Sequence, residues 1–130
     1  MKKAGIFVGI GAIGFVVILF GAVMIMTNPL VNVAEEYFLL ISENRIDEAF
    51  ELTSTDVRTA FTLEEFEEIN NETVLKQYYD ASWYSRSREG DRGVLEGTVK
   101  TTDAVYDEVN VIVQLVKENG EWKIYSLDVQ

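Results

Sequence analysis

From Ala4 to Met26 the chain runs through apolar residues and glycine with no charged or polar side chain, directly behind Lys2 and Lys3. At about 1.5 Å per residue such a run makes a helix roughly 34 Å long, enough to cross a hydrocarbon core of about 30 Å. It predicts a membrane span over residues 1–27 and a separate domain over residues 28–130. The competing reading is a cleaved secretory signal, whose apolar region is about 7 to 15 residues long. The run is longer than that, and the site around Phe20, Gly21 and Ala22 carries Phe three positions upstream of its end, a poor fit to signal cleavage. An uncleaved signal anchor is therefore expected. Lys2 and Lys3 are the basic residues beside it, which orients the chain with a cytoplasmic N-terminus and an extracytoplasmic domain, a single-pass protein of the cell membrane.

The domain beyond Pro29 is one unit, too small for two cores. Setting Lys2 and Lys3 aside, the 11 basic residues fall to nine against 22 acidic, a net charge of −13. Phosphate backbones repel such a surface, so nucleic acid is not an expected partner. With neither cysteine nor histidine, the chain lacks thiolate and imidazole metal ligands, disulfides and histidine-based triads. No metal or other cofactor is expected, and proton transfer would fall to carboxylates, tyrosines and lysines.

Asn28 before Pro29 marks a helix start, and Leu30, Val33, Tyr37, Leu40 and Ile41 follow at helical spacing. A second helix is predicted over Ile46 to Leu52. Thr62 and Glu65 form a capping box that opens a third, ending near Asn70 and Asn71. From Val74 onward the period shortens to about 2 and β-branched and aromatic residues dominate, which predicts four antiparallel strands. These cover about Leu75 to Arg86, Gly93 to Thr101, Val105 to Lys117 and Trp122 to Val129. Asn119-Gly120 suits a type I′ turn. That turn sets Lys117 opposite Trp122, Leu115 opposite Ile124 and Val113 opposite Ser126. Strict alternation then leaves Ile112, Val116, Tyr125, Leu127 and Val129 on the second face, apolar enough to invite further packing or self-association.

Three helices before a four-stranded meander closed by Asn119-Gly120-Glu121-Trp122-Lys123-Ile124, together with Arg45-Ile46-Asp47-Glu48-Ala49-Phe50 and the helix from Thr62 to Ile69, resemble the nuclear-transport-factor-2-like superfamily. These parts resemble in particular its uncharacterised bacterial and archaeal accessory domains behind a membrane anchor. The resemblance implies an α+β fold of the cystatin-like, cone-shaped type, with helices packed on a curved antiparallel sheet. It also implies a pocket in the cone and, in many members, dimers formed through the sheet.

Within such a cone Phe38, Tyr79 and Trp83 are the candidate aromatic walls, and Ser126 with Asp128, on the Ile124 face by the register above, the candidate polar pair. The same aromatics serve equally as core. Asp80 alternates away from the more apolar Tyr79, Ala81 and Trp83, so no residue is assigned a catalytic role. Arg86, Arg88 and Arg92 form a positive spot able to receive a carboxylate or phosphate, or to pair with Glu89 and Asp91 nearby. Glu64, Glu65, Glu67, Glu68 and Glu72 sit at consecutive helix positions, unlike a calcium loop, and read as a solvated face. The expected function is a membrane-anchored, non-catalytic binding or assembly module. It would dock on another membrane or envelope protein or on itself at the outer face of the membrane. The alternative is a small-ligand binder or carboxylate-driven, isomerase-like enzyme using the cone pocket.

Overall fold

The computed structural model describes residues 21–130, with side chains from residue 28 onward. Four helices come first: α1 (Gly21–Ser42), α2 (Ile46–Glu51), α3 (Thr55–Ala60) and α4 (Leu63–Asn71). A 3-10 turn, Val74–Gln77, leads into strands β1 (Tyr78–Glu89), β2 (Arg92–Thr101), β3 (Glu108–Glu118) and β4 (Glu121–Val129). The strands form one antiparallel sheet in the order β1-β2-β3-β4.

Residues 4–20 of the expected span lie outside the described residues. The rest of it opens α1, and among the described residues no helix is long and apolar enough to cross a membrane. The described residues thus show no membrane anchor, and the expected transmembrane segment and single-pass location with an extracytoplasmic domain are not carried forward. Pro29, expected at a helix start, lies inside α1.

The expected layer of helices on a cone-like sheet is also corrected. The helices form a block that precedes the sheet, and α1 makes the main crossing to it. The α1 residues Leu30, Ala34, Phe38 and Ile41 are fully buried, as are Leu95, Val99, Val111 and Val113 of the sheet. Leu30 sits so close over Gly93 that a Cβ there would lie 2.6 Å from its Cδ1. The shorter helices close the block from the side. Phe50 of α2 packs on Phe66 of α4 with ring centroids 4.9 Å apart, and the buried Asn70 amide donates to the Phe66 carbonyl at 2.9 Å. The capping box of α4 is complete: Glu65 N donates to Thr62 Oγ1 at 3.1 Å and Thr62 N donates to Glu65 Oε1 at 2.9 Å.

Helix α3 has no counterpart in the expected elements, because none of its residues is buried and it carries no apolar period. Its N-cap Ser54 belongs to a short segment that covers part of the outer edge of β4. Ser54 N donates to Ile124 O and Ile124 N donates to Leu52 O, both at 2.8 Å.

Asn119 and Gly120 both hold positive φ, 51° and 82°, as the tight β3–β4 turn requires. The register starts as expected, with Lys117 opposite Trp122 and Leu115 opposite Ile124. It then slips. Tyr125 is an extra residue in β4, so Ser126 stands opposite Gln114, Leu127 opposite Val113, and Asp128 opposite Ile112. A β-bulge of this kind reverses which side every later residue faces. Leu127 and Val129 therefore join the face that carries Val111 and Val113, and the second face is far less apolar than alternation implied. Two more register slips, at Tyr79 and Tyr84, interrupt β1.

Candidate functional site: an aromatic rim and a cationic spot

The five residues expected around one pocket are divided. Phe38 and Trp83 do meet: their rings lie nearly parallel, 12° apart in plane, with centroids at 6.1 Å. Trp83 Nε1 donates to Glu35 Oε2 at 2.8 Å, and the Tyr78 ring also packs on Phe38, with centroids 5.5 Å apart. This cluster is packing between α1 and β1, and Phe38 has no exposed surface. Burial, aided by the nearby charges of Glu35 and Asp80, pushes the Tyr78 phenol up to about 12. Burial likewise raises Tyr37, against the opposing hydrogen bond with Asn70. Ser126 and Asp128 point to the other face of the sheet, because the bulge at Tyr125 turns them there. Tyr79 leaves the group for the same kind of reason. It is the extra residue of the first β1 slip and is 60% exposed.

Bulging on the free edge strand puts large side chains in solvent at two places, Tyr79 and Tyr84, the latter 65% exposed. Beside the start of β1 lies a loop, residues 102–107, that adds Val105 and Tyr106, 73% and 62% exposed. The loop is built, not slack. Asp103 Oδ2 accepts from Val105 N at 2.9 Å and Tyr106 N at 2.8 Å, and its other oxygen accepts from Gln77 Nε2 at 3.2 Å. Those bonds hold the Asp103 carboxyl below its ordinary pKa, the Tyr106 amide first and the Val105 amide next. Thr101 Oγ1 donates to Tyr106 O at 2.7 Å, and Thr102 N donates to Gln77 O at 3.0 Å, two residues before Tyr79. Sequence periodicity assigned Val105 to the start of a strand. The signal against it is Asp103, a short carboxylate placed to cap the two amides that follow.

At the opposite end of β1, Arg88 and Arg92 form no ion pair with Glu89 or Asp91 and lie over aromatic rings instead. Arg88 lies over the Trp122 ring, 5.1 Å from its centroid, and Arg92 over Tyr125 at 5.3 Å. Lys117 also reaches Trp122, at 5.9 Å. Arg45, Arg58 and Lys123, by contrast, each make an ion pair.

A shallow polar cleft of about 230 Å³ is lined by Asn44, Ile46, Asp47, Glu67 and Asn71, none of them an expected pocket residue. Among the described residues no carboxylate is buried, and no group of three or more acidic residues is placed to hold a metal ion.

No family profile and no curated protein matches the chain. Among solved structures, it is similar to the solution structure of a SEC-C motif containing protein from Rhodopseudomonas palustris. The TM-score is 0.59 at 16% identity, over 75% of this chain and 76% of that one. The likeness is one of fold. It overturns the resemblance to the nuclear-transport-factor-2-like superfamily, and with it the cystatin-like cone. The closing turn, tryptophan, lysine and isoleucine mark a tight hairpin with one buried aromatic, a local pattern that does not specify the superfamily.

Proposed function

We propose that the domain is a non-catalytic binding module that engages another protein, or a second copy of the chain, through the aromatic rim of Tyr79, Tyr84, Val105 and Tyr106. The observation that carries this reading is that all four are at least three-fifths exposed, Tyr79 and Tyr84 between paired β1 residues on either side and Val105 and Tyr106 on a loop capped by Asp103. Tyrosine contributes much of the energy at protein interfaces while losing little side-chain entropy, and a pre-set loop lowers the ordering cost of binding. The enzymatic alternative requires a buried carboxylate beside a cavity, and the described residues offer a polar surface cleft instead.

The test is chemical cross-linking of the full chain in its native cells, followed by purification and identification of the attached species. A Tyr79→Ser, Tyr106→Ser double variant is run beside it. Both side chains are exposed, so the variant folds. Loss of a defined cross-linked species in the variant supports the module. Retention of the same species at the same yield removes the rim from the interface.

A further inference from the structure

The cations at the Trp122 end of the sheet are arranged for a ligand that the rim does not explain. Trp122 of β4 is buried, and Arg88 of β1 and Lys117 of β3 both lie against its ring. Arg88 pairs with Gly93 of β2, and its guanidinium carbon lies 5.1 Å from the Trp122 ring centroid. Arg88 Nε donates to Gly90 O at 3.2 Å, and Lys117 N donates to Asp91 O at 2.8 Å, so the hairpin tip is tied to β3.

Two positive heads share one ring, and among the described residues neither has a carboxylate within ion-pairing distance. This is the reverse of what a domain with so large an acidic excess would do by default. Glu118, next to Lys117 in sequence, is engaged elsewhere: it accepts from Thr55 N at 3.1 and 3.2 Å, from Thr55 Oγ1 at 3.0 Å, and lies 3.9 Å from Arg58. Cation–π contact steadies each head but leaves its charge uncompensated. A guanidinium fork and an ammonium, at 5.1 and 5.9 Å from the same ring centroid, suit an oxyanion with two negative charges and several acceptor oxygens.

We infer that Arg88 and Lys117, held on Trp122, form a binding site for a phosphoryl dianion. The ligand is free phosphate or a phosphate monoester, which share this chemistry. The site is separate from the aromatic rim and does not depend on it.

The chain has two tryptophans, so a Trp83→Phe background leaves Trp122 as the sole reporter beside the cations. The full chain in that background is titrated with inorganic phosphate and with methyl phosphate, ionic strength being held constant with chloride. A saturable change in Trp122 fluorescence is expected, with half-saturation at or below roughly 1 mM. It weakens at least tenfold in Arg88→Gln and in Lys117→Gln, each checked for an unchanged near-ultraviolet circular dichroism spectrum. Should one variant not fold, the other decides.

Lowering the pH from 7.5 to 5.5 weakens binding further, because the dianion takes up a proton, at a pKa of about 6 for a monoester and somewhat higher for inorganic phosphate, while Arg and Lys stay charged. The chain has no histidine to titrate in that window. Tighter binding of inorganic phosphate assigns the site to the free anion, and tighter binding of methyl phosphate to an ester. A response that does not saturate, that chloride reproduces, or that survives both substitutions overturns the site.

Discussion

Trp83 and Glu35, 48 residues apart in the chain, are joined by a hydrogen bond of 2.8 Å from the indole nitrogen to a carboxylate oxygen, fastening the edge strand β1 to α1. The same indole stacks on Phe38. Trp83→Phe keeps an aromatic ring in place and removes the donor, leaving Glu35 half-buried with one partner fewer. The expected cost is about 1 to 2 kcal/mol, the range for losing one such bond, measured as a lower urea midpoint at unchanged slope. A loss above about 4 kcal/mol would mean that the ring shape matters more than the bond.

Two glycines of β2 face α1 or β1 closely, and they differ in what a methyl group would meet. At Gly97 it would run into the Ser82 carbonyl and the Trp83 ring, neither of which can step aside. At Gly93 the obstruction is the end of Leu30, which has other rotamers. Gly97→Ala is expected to cost at least about 2 kcal/mol and Gly93→Ala about half of that. Equal midpoints for the two variants in thermal melts would contradict this difference.

Much of this architecture is legible in the residues, and the misses have physical causes. Thr62 with Glu65, Asn119 with Gly120, and the shift from helical to alternating periodicity each reflect a local rule, and each is present in the structure. Register beyond Ile124 was not legible. A bulge adds one residue without a compositional mark, and Tyr125 looks like any other alternating strand residue. That single residue moved Ser126 and Asp128 to the opposite face and dissolved the expected polar pair. Long-range features such as the contact of Arg88 on β1 with Trp122 on β4 depend on four strands at once, which no sequence window contains. The apolar run at the N-terminus reads as a span by hydropathy alone, whereas the described part of it continues into a helix packed on a core.

The capping box at Thr62 satisfies amides that α4 would otherwise leave open. Thr62→Ala removes the acceptor for Glu65 N, and the expected loss is about 1 kcal/mol. Because the side chain is exposed and makes no core contact, Thr62→Ser should recover most of it. Both are read from chemical denaturation, and a serine variant as unstable as the alanine one would point to a role for the methyl group.

Alkaline pH should weaken the fold through two tyrosines. An unfolded tyrosine loses its proton near pH 10, whereas Tyr78 holds its proton to about 12 and Tyr37 is also shifted upward. Between those values the unfolded chain binds fewer protons than the folded one, so stability falls as pH rises. Below about pH 10 both are neutral in either state and contribute no slope. Tyr78→Phe should flatten the decline of the denaturation midpoint between pH 10 and 12 relative to the parent. A variant whose midpoint falls as steeply as the parent's would show that Tyr78 ionises in the folded protein.

Deleting a residue from the middle of a strand ordinarily turns every later side chain to the wrong face. At Tyr125 the opposite is expected. Ile124 already faces Leu115 and Ser126 already faces Gln114, the next residue of β3, so removing Tyr125 closes the bulge and keeps each later pair in place. The deletion gives up the contact of Arg92 with the Tyr125 ring and some local twist, together about 1 to 2 kcal/mol. Deleting Ile112 from β3, where no bulge precedes it, would instead break pairing on both sides and abolish cooperative unfolding. Circular dichroism melts of the two variants distinguish them. The register is wrong if loss of Tyr125 proves as damaging as loss of Ile112.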